Sequence, residues 1–193
     1  MVIYPGRFNF YLVAVALVAT LTGCASASSK KEKEIAAIRL HLEVRRDMGG
    51  DGGQPVMISR AAKIQLNVEK QQFLDEANVA KASVVEGMGG FTILIEFDHR
   101  GTLLLEQYSA VNPGKRIAVL AQWGEKQAES RWLAAPLINR RIGDGLLNFT
   151  PDATRAEAEQ IVHGLNNVAI NNGNQEKPKN KPKDKPEDKP KPQ

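Results

Sequence analysis

The sequence predicts an α+β domain, an antiparallel or mixed sheet with two main helices, flanked by a signal peptide and a disordered C-terminal tail. Three observations predict it. Apolar residues alternate with period two in "IRLHLEV", "KIQLNVE" and "FTILIEF", the mark of strands with one buried face. Helical spacing follows Asp98 and Thr150. Composition changes abruptly at both ends, so the folded part is shorter than the 193-residue chain.

Residues 1–23 hold one basic residue, Arg7, and then an apolar run from Phe10 to Leu21. About a dozen residues is the size of a signal-peptide core and falls short of the roughly 20 a spanning helix needs. No later run approaches that length, so a mature protein without a membrane helix is expected. The sole cysteine, Cys24, ends "LTGC" directly after the apolar core. That pattern resembles the lipoprotein signal of bacteria, in which the cysteine receives diacylglycerol and becomes the mature N-terminus. A chance cysteine after an ordinary export signal is the alternative. A lone thiol in an oxidising compartment is a liability, whereas a lipidated one is consumed. Two or more acyl chains hold a protein stably on a bilayer. In the lipoprotein class an acidic residue after the cysteine is associated with inner-membrane retention; Ala25 stands there, which favours the outer membrane.

Charge separates along the chain. Of 26 Lys and Arg, Arg7 lies in the leader and seven Lys lie from Glu176 onward; of 22 acids, four lie in that tail. Residues 24–175 therefore carry 18 of each sign. Nucleic-acid binding needs a basic folded surface, and a neutral exported domain excludes it.

After Cys24, "ASASSKKEKE" reads as a polar spacer to residue 34, and the domain is expected over 35–170. In "IRLHLEV" the alternation turns Ile38, Leu40, Leu42 and Val44 inward and His41 outward. "DMGGDGGQP" is a loop by glycine content. "VMISR" and "KIQLNVE" are two strands; another runs from about Val79 to Glu86, turns at Gly87–Gly90, and returns as Phe91–Phe97. Asp98 caps a helix in which Leu104, Leu105 and Tyr108 share a face. "NPG" ends it, and "KRIAVLAQW" is a buried strand. A polar hairpin and the strand "GLLNF" lead to Thr150, Pro151 and Asp152, which read as a helix start. The helix then runs to about Asn166, with Ala153, Ala156, Ile161, Val162 and Leu165 apolar. From 171 to 193, proline at nearly every third position forbids helix and ladder alike. The arm from Glu176 would stretch roughly 50 Å at about 3.1 Å per residue.

The stretch from about Phe91 to Leu165 resembles the head subdomain of the first periplasmic domain of SecD, a subunit of the bacterial protein-export translocase. The resemblance is carried by Phe97, Gly101, "GKRIAV" from Gly114, "AAPLI" from Ala134, Gly143 or Gly145, Phe149-Thr150 and Glu157-Ala158. A weaker match extends the SecD-head-like region to about 56–168. It implies an α+β fold and a polypeptide-handling context. SecD has six membrane helices and intramembrane acids tied to proton-driven action; neither is present here, so the resemblance implies no motor.

Chemistry is sparse. His41, His99 and His163 stand far apart, and no pair has metal-ligand spacing. "EFDH", Glu96 to His99, crowds acids with an imidazole, but a solvent-facing Glu96 and a capping Asp98 account for it. There is no phosphate loop, no nucleophile elbow and no cysteine left for catalysis. No cofactor, metal or catalytic residue is therefore expected. Trp123 and Trp132 bracket the polar hairpin with Arg131 beside one of them; either the indoles pack in the core or the three residues form a binding hot spot. The reading is a non-enzymatic, lipid-anchored, periplasm-facing envelope protein that binds an exported polypeptide or an envelope protein. The alternative is a structural tether whose Lys/Pro arm contacts cell-wall or envelope polymer.

Cys24→Ser is expected to abolish incorporation of labelled fatty acid and to release the protein from membranes. An unlabelled mutant still held by the membrane would contradict the anchor.

Overall fold

The computed structural model describes residues 34–44, 53–58, 63–87 and 89–175. The leader, Cys24, most of the spacer, most of the glycine loop and the Lys/Pro arm lie outside the described residues.

Among the described residues, nine strands and two α-helices follow the order β1 (Ala37–Val44), β2 (Gln54–Ile58), β3 (Ile64–Val68), β4 (Leu74–Asp75), β5 (Val79–Gly87), β6 (Gly90–Phe97), α1 (His99–Val111), β7 (Ile117–Trp123), β8 (Glu129–Ala134), β9 (Leu146–Phe149) and α2 (Arg155–Asn171). The larger sheet has the order β2-β3-β1-β7-β8, with β4 on β1; the smaller is β5-β6-β9. Every pairing is antiparallel. The two-residue β4 is the one strand the sequence pattern does not announce.

Strand β1 is buried on both sides. Ile38, Leu40 and Leu42 enter the main core with Ile117, Val119, Ala121, Leu105, Ile161 and Leu165. On the opposite face the β2–β3 hairpin closes over Ala118 and Ala135, placing Val56, Ile58, Leu66 and Val68 in a second, smaller core. His41 points into that covered face and is 4 % exposed, not outward as the alternation suggests. Period two assigns a face; it does not say that another hairpin will fold across it.

Helix α1 begins where expected: Asp98 accepts from the Gly101 amide at 2.6 Å. Leu105 is buried, and Tyr108 stacks on Phe73 with centroids 4.3 Å apart. Helix α2 does not begin at Thr150. The Asp152 amide donates to Leu133 O at 2.7 Å, which ties this segment to β8. The cap is Thr154, whose hydroxyl accepts from the Glu157 amide while Glu157 accepts from the Thr154 amide, a reciprocal capping box.

The helix also runs past Asn166. Asn166 Oδ1 accepts from Ala82 N and its Nδ2 donates to Ala82 O, both at 2.9 Å. Asn167 donates to Glu34 O at 2.8 Å. Beyond the helix, Asn174 donates to Ala77 O and Val79 O. Residues that favour turns in isolation are here held by tertiary bonds as far as Asn174. The buried face of α2 is Ala158, Ile161, Gly164, Leu165 and Ala169, so Ala156, which is exposed, does not belong to it.

Gly164 permits the close approach. A Cβ there would lie 2.6 Å from Ala36 N and 2.7 Å from Ala36 Cβ. Alanine raises helix propensity by about 1 kcal/mol over glycine, but overpacking against backbone costs about 1–3 kcal/mol. Gly164→Ala is therefore expected to lower the melting temperature measured by circular dichroism. A higher value would mean that the N-terminal segment yields without cost.

Candidate functional site

The β7–β8 hairpin carries the residues singled out by sequence. Its tip turns through Gly124, with Lys126 and Gln127 both at φ 57°, and a register shift after Val119 leaves Leu133 as an extra residue on β8. That bulge divides the strand: Leu133 and Ala134 enter the main core, whereas Trp132 and Ala135 face the small one.

The hairpin does not present a hot spot of three residues. Trp123 is a core residue, 2 % exposed, so its indole offers no area to a partner. Arg131 is bound internally: it donates to Asp152 O at 3.1 Å and to both Glu157 carboxylate oxygens at 3.0 and 3.3 Å. Its guanidinium lies 5.4 Å from the Trp123 ring centroid. Trp132 is half-buried on the small core and meets the His41 ring edge-on, centroids 5.3 Å apart. His41 Nδ1 lies 2.8 Å from Glu69 O. A carbonyl only accepts, so Nδ1 carries the proton. Nε2, fully enclosed, has no partner among the described residues.

The acid and imidazole crowding at Glu96–His99 also disperses. Glu96 pairs with Lys81 at 3.2 Å, Asp98 is spent on its cap, and His99 is exposed in the first turn of α1. Among the described residues no three His, Cys, Asp or Glu side chains group as metal ligands. Among them, too, no helix is long and apolar enough to cross a membrane.

What the fold does build is a groove between its two sheets. Its volume is about 380 Å³. One wall is Ile64 of β3, Arg116, and Ala134, Ala135 and Pro136 at the end of β8; the other is Thr92 of β6 with Asn148, Phe149 and Thr150 of β9 and its exit. Arg116 is the one charged side chain in the lining, fixed by donating to Ala135 O at 2.8 Å. Both walls depend on internal bonds. Arg131 and Leu133 hold the segment after β9 against β8, and Ile117 N bonds Pro136 O at 3.0 Å. A second concavity of about 550 Å³ lies over the outer face of α2, among Glu34, Ala156, Glu159, Gln160 and His163. Ala156 is the one apolar residue in its lining, and no strand residue lines it.

Sequence reasoning missed the groove. The alternation in "LLNFT" does turn Asn148 and Thr150 away from the core, but nothing local says that β9 ends its sheet or faces β8.

Glu157 anchors one wall and carries the site's resolved electrostatic effect. The Thr154 amide bond holds its carboxyl below the usual glutamate range; partial burial opposes this, and Arg131 reinforces it. A carboxylate whose folded pKa is depressed contributes stability above its unfolded pKa of about 4.3, and that contribution is lost as pH falls through the folded value. Glu157→Ala is expected to lower the melting temperature by a few degrees at pH 7, because losing a capping interaction costs about 1 kcal/mol. The gap to the wild type should narrow below about pH 4.3. A gap that stays constant down to pH 2 would show that the charge of Glu157 is not what matters.

Comparison with known proteins places this geometry. Residues 54–171 match the SecDF P1 head subdomain family. A structure of SecDF, described as a membrane component that enhances protein export, superposes with a TM-score of 0.54 at 18 % identity, covering 76 % of this chain and 71 % of that one. A crystal structure of SecDF in its super-membrane-facing form gives a TM-score of 0.52 at 17 % identity over 72 % of this chain. The chain spans only 20 % of that longer protein. No curated protein sequence matches. At such identities the superpositions show a shared fold, and with the family match over more than half its length, this chain belongs to the SecDF P1 head subdomain family.

Proposed function

We propose that this chain is a non-catalytic, lipid-anchored protein of the cell envelope that faces the periplasm and holds extended segments of exported polypeptides. The observation that carries the reading is the groove between the sheets. Its walls are apolar at Ile64, Ala134, Ala135 and Phe149, and polar at Thr92, Asn148 and Thr150. It lies along the ends of β8 and β9 and is open to solvent. Concave sites that take peptides combine such walls with backbone groups within reach.

The family supports the context, since SecDF is described as enhancing protein export. The "LTGC" pattern supports the anchor. A head domain fixed to a bilayer by lipid would work by capture and release. Nothing in the groove pairs a nucleophile with a base, so binding and not bond cleavage is the activity its residues fit.

Thr92→Trp tests the groove. Threonine and tryptophan both suit strands, and position 92 faces the groove from the centre of the smaller sheet. The indole would fill the space a bound segment needs. Affinity for a fluorescently labelled, unfolded exported protein, read by polarisation, is expected to fall at least about fivefold, a loss of about 1 kcal/mol. Unchanged affinity in a mutant that melts like the wild type would move the site elsewhere.

A further inference from the structure

The two edges of the smaller sheet are treated differently by the fold. In the β6–β9 ladder, Phe97 N donates to Gly145 O at 3.0 Å, and the register continues as Ile95 opposite Leu147 and Ile93 opposite Phe149. Antiparallel ladders alternate bonded and non-bonded pairs. Gly145, Leu147 and Phe149 therefore direct their backbone groups to β6, while Leu146 and Asn148 direct theirs away from it. The Leu146 amide is taken by Asp144 Oδ1 at 3.1 Å. Asn148, exposed and lining the groove, is left with its N–H and C=O both outward, and no bond to them exists among the described residues.

Applied to β5, the same parity sends the backbone of Ala82 outward, on the side opposite β6. There both groups are occupied: the Asn166 side-chain amide bonds Ala82 N and O at 2.9 Å each. A carboxamide bonded to both groups of one residue reproduces what a neighbouring strand's peptide group does. The molecule thus closes one edge with its own amide and leaves the other open. In the larger sheet, Leu133 O on β8 accepts from Asp152, and β2 carries Pro55, which has no donor. Proteins usually guard an exposed edge; β9 is unguarded where the groove begins.

We propose that the bound polypeptide adds to the smaller sheet as a fourth strand against β9, through the backbone N–H and C=O of Asn148, with a neutral or acidic side chain beside Arg116. This deepens the polypeptide-binding reading and rests on it. The occupant is an extended segment because a strand backbone supplies one donor and one acceptor at ladder spacing, the same pair that Asn166 supplies to Ala82 within the fold. Its charge follows from Arg116: the guanidinium spends one donor on Ala135 O, and its other donors suit a carboxylate and repel lysine or arginine. Recognition through backbone groups is tolerant of sequence, as capture of many exported chains requires.

The probe is a fluorescein-labelled, acetylated hexapeptide of alternating valine and threonine with one aspartate, compared with versions N-methylated on alternate residues in each of the two frames. Strand addition predicts that one frame weakens binding about fivefold, the loss of one backbone bond to the Asn148 carbonyl, while the other leaves it unchanged. Asn148→Pro, which removes an outward donor as well as the side chain, should weaken the parent peptide more than Asn148→Ala, which removes the side chain and keeps the backbone. Should Asn148→Pro fail to fold, the N-methyl frames decide alone. Equal binding by both frames overturns strand addition and leaves the groove reading standing. Parent peptide that fails to bind while an unfolded exported protein binds has the same meaning. Binding of neither overturns both. A dimer in sedimentation that dissociates in Asn148→Pro would assign the edge to a second copy of this chain and overturn the proposal.

Discussion

The structure depends on β1 being packed on both faces and paired on both edges. Its Ile38, Leu40 and Leu42 side chains lie in the main core, Ala37 and His41 are buried on the other side, and β7 and the β3/β4 pair bond its two edges. A strand covered this way can slip by one residue only by exchanging every side chain between two cores. Fixing β1 fixes β7, and β7 fixes the bulged β8 whose end forms a groove wall. The covering β2–β3 hairpin contributes Ile64 to the same wall. The groove is thus a consequence of how a sheet with two cores meets a smaller sheet with one.

Polar side chains set the second wall. Asn166 bonds the open edge of β5, and Arg131 with Glu157 and Thr154 pins the chain between β9 and α2. These contacts have a shared effect: they place α2 across β5 and hold the segment after β9 against β8, so that β9 is the edge left free. Arg131 and Glu157 are 40 % and 26 % exposed, where an ion pair alone contributes little. Their value lies in position, because the same two side chains complete a helix cap and hold a loop carbonyl.

Local patterns were legible where local chemistry decides the outcome. The Asp98 cap, the Gly87–Gly90 turn and the β7 strand could be read directly, because a carboxylate near free amides or a glycine pair between alternating runs has few other uses. Thr150 misled because Thr-Pro-Asp has the chemistry of a helix start, yet the Asp152 amide found Leu133 O first. His41 misled because the hairpin that buries it comes later in the chain. The tryptophans could not be sorted by sequence at all: a one-residue bulge at Leu133 decides that Trp132 meets the small core, while Trp123 sits in the main one. The groove was invisible for the same reason, since its residues span from Ile64 to Thr150 and meet only through sheet order.

Capture at β9 requires the backbone of Asn148 to be open to solvent in the free protein and bonded when a polypeptide is held. Amide hydrogen exchange resolved to single residues measures this directly. Leu147 and Phe149, whose amides face β6, should exchange slowly with and without peptide; Asn148 should exchange fast when free and become protected on binding. An Asn148 amide already as slow as its two neighbours in the free protein would mean the edge is covered, and would contradict the claim that β9 is where this domain takes hold of another chain.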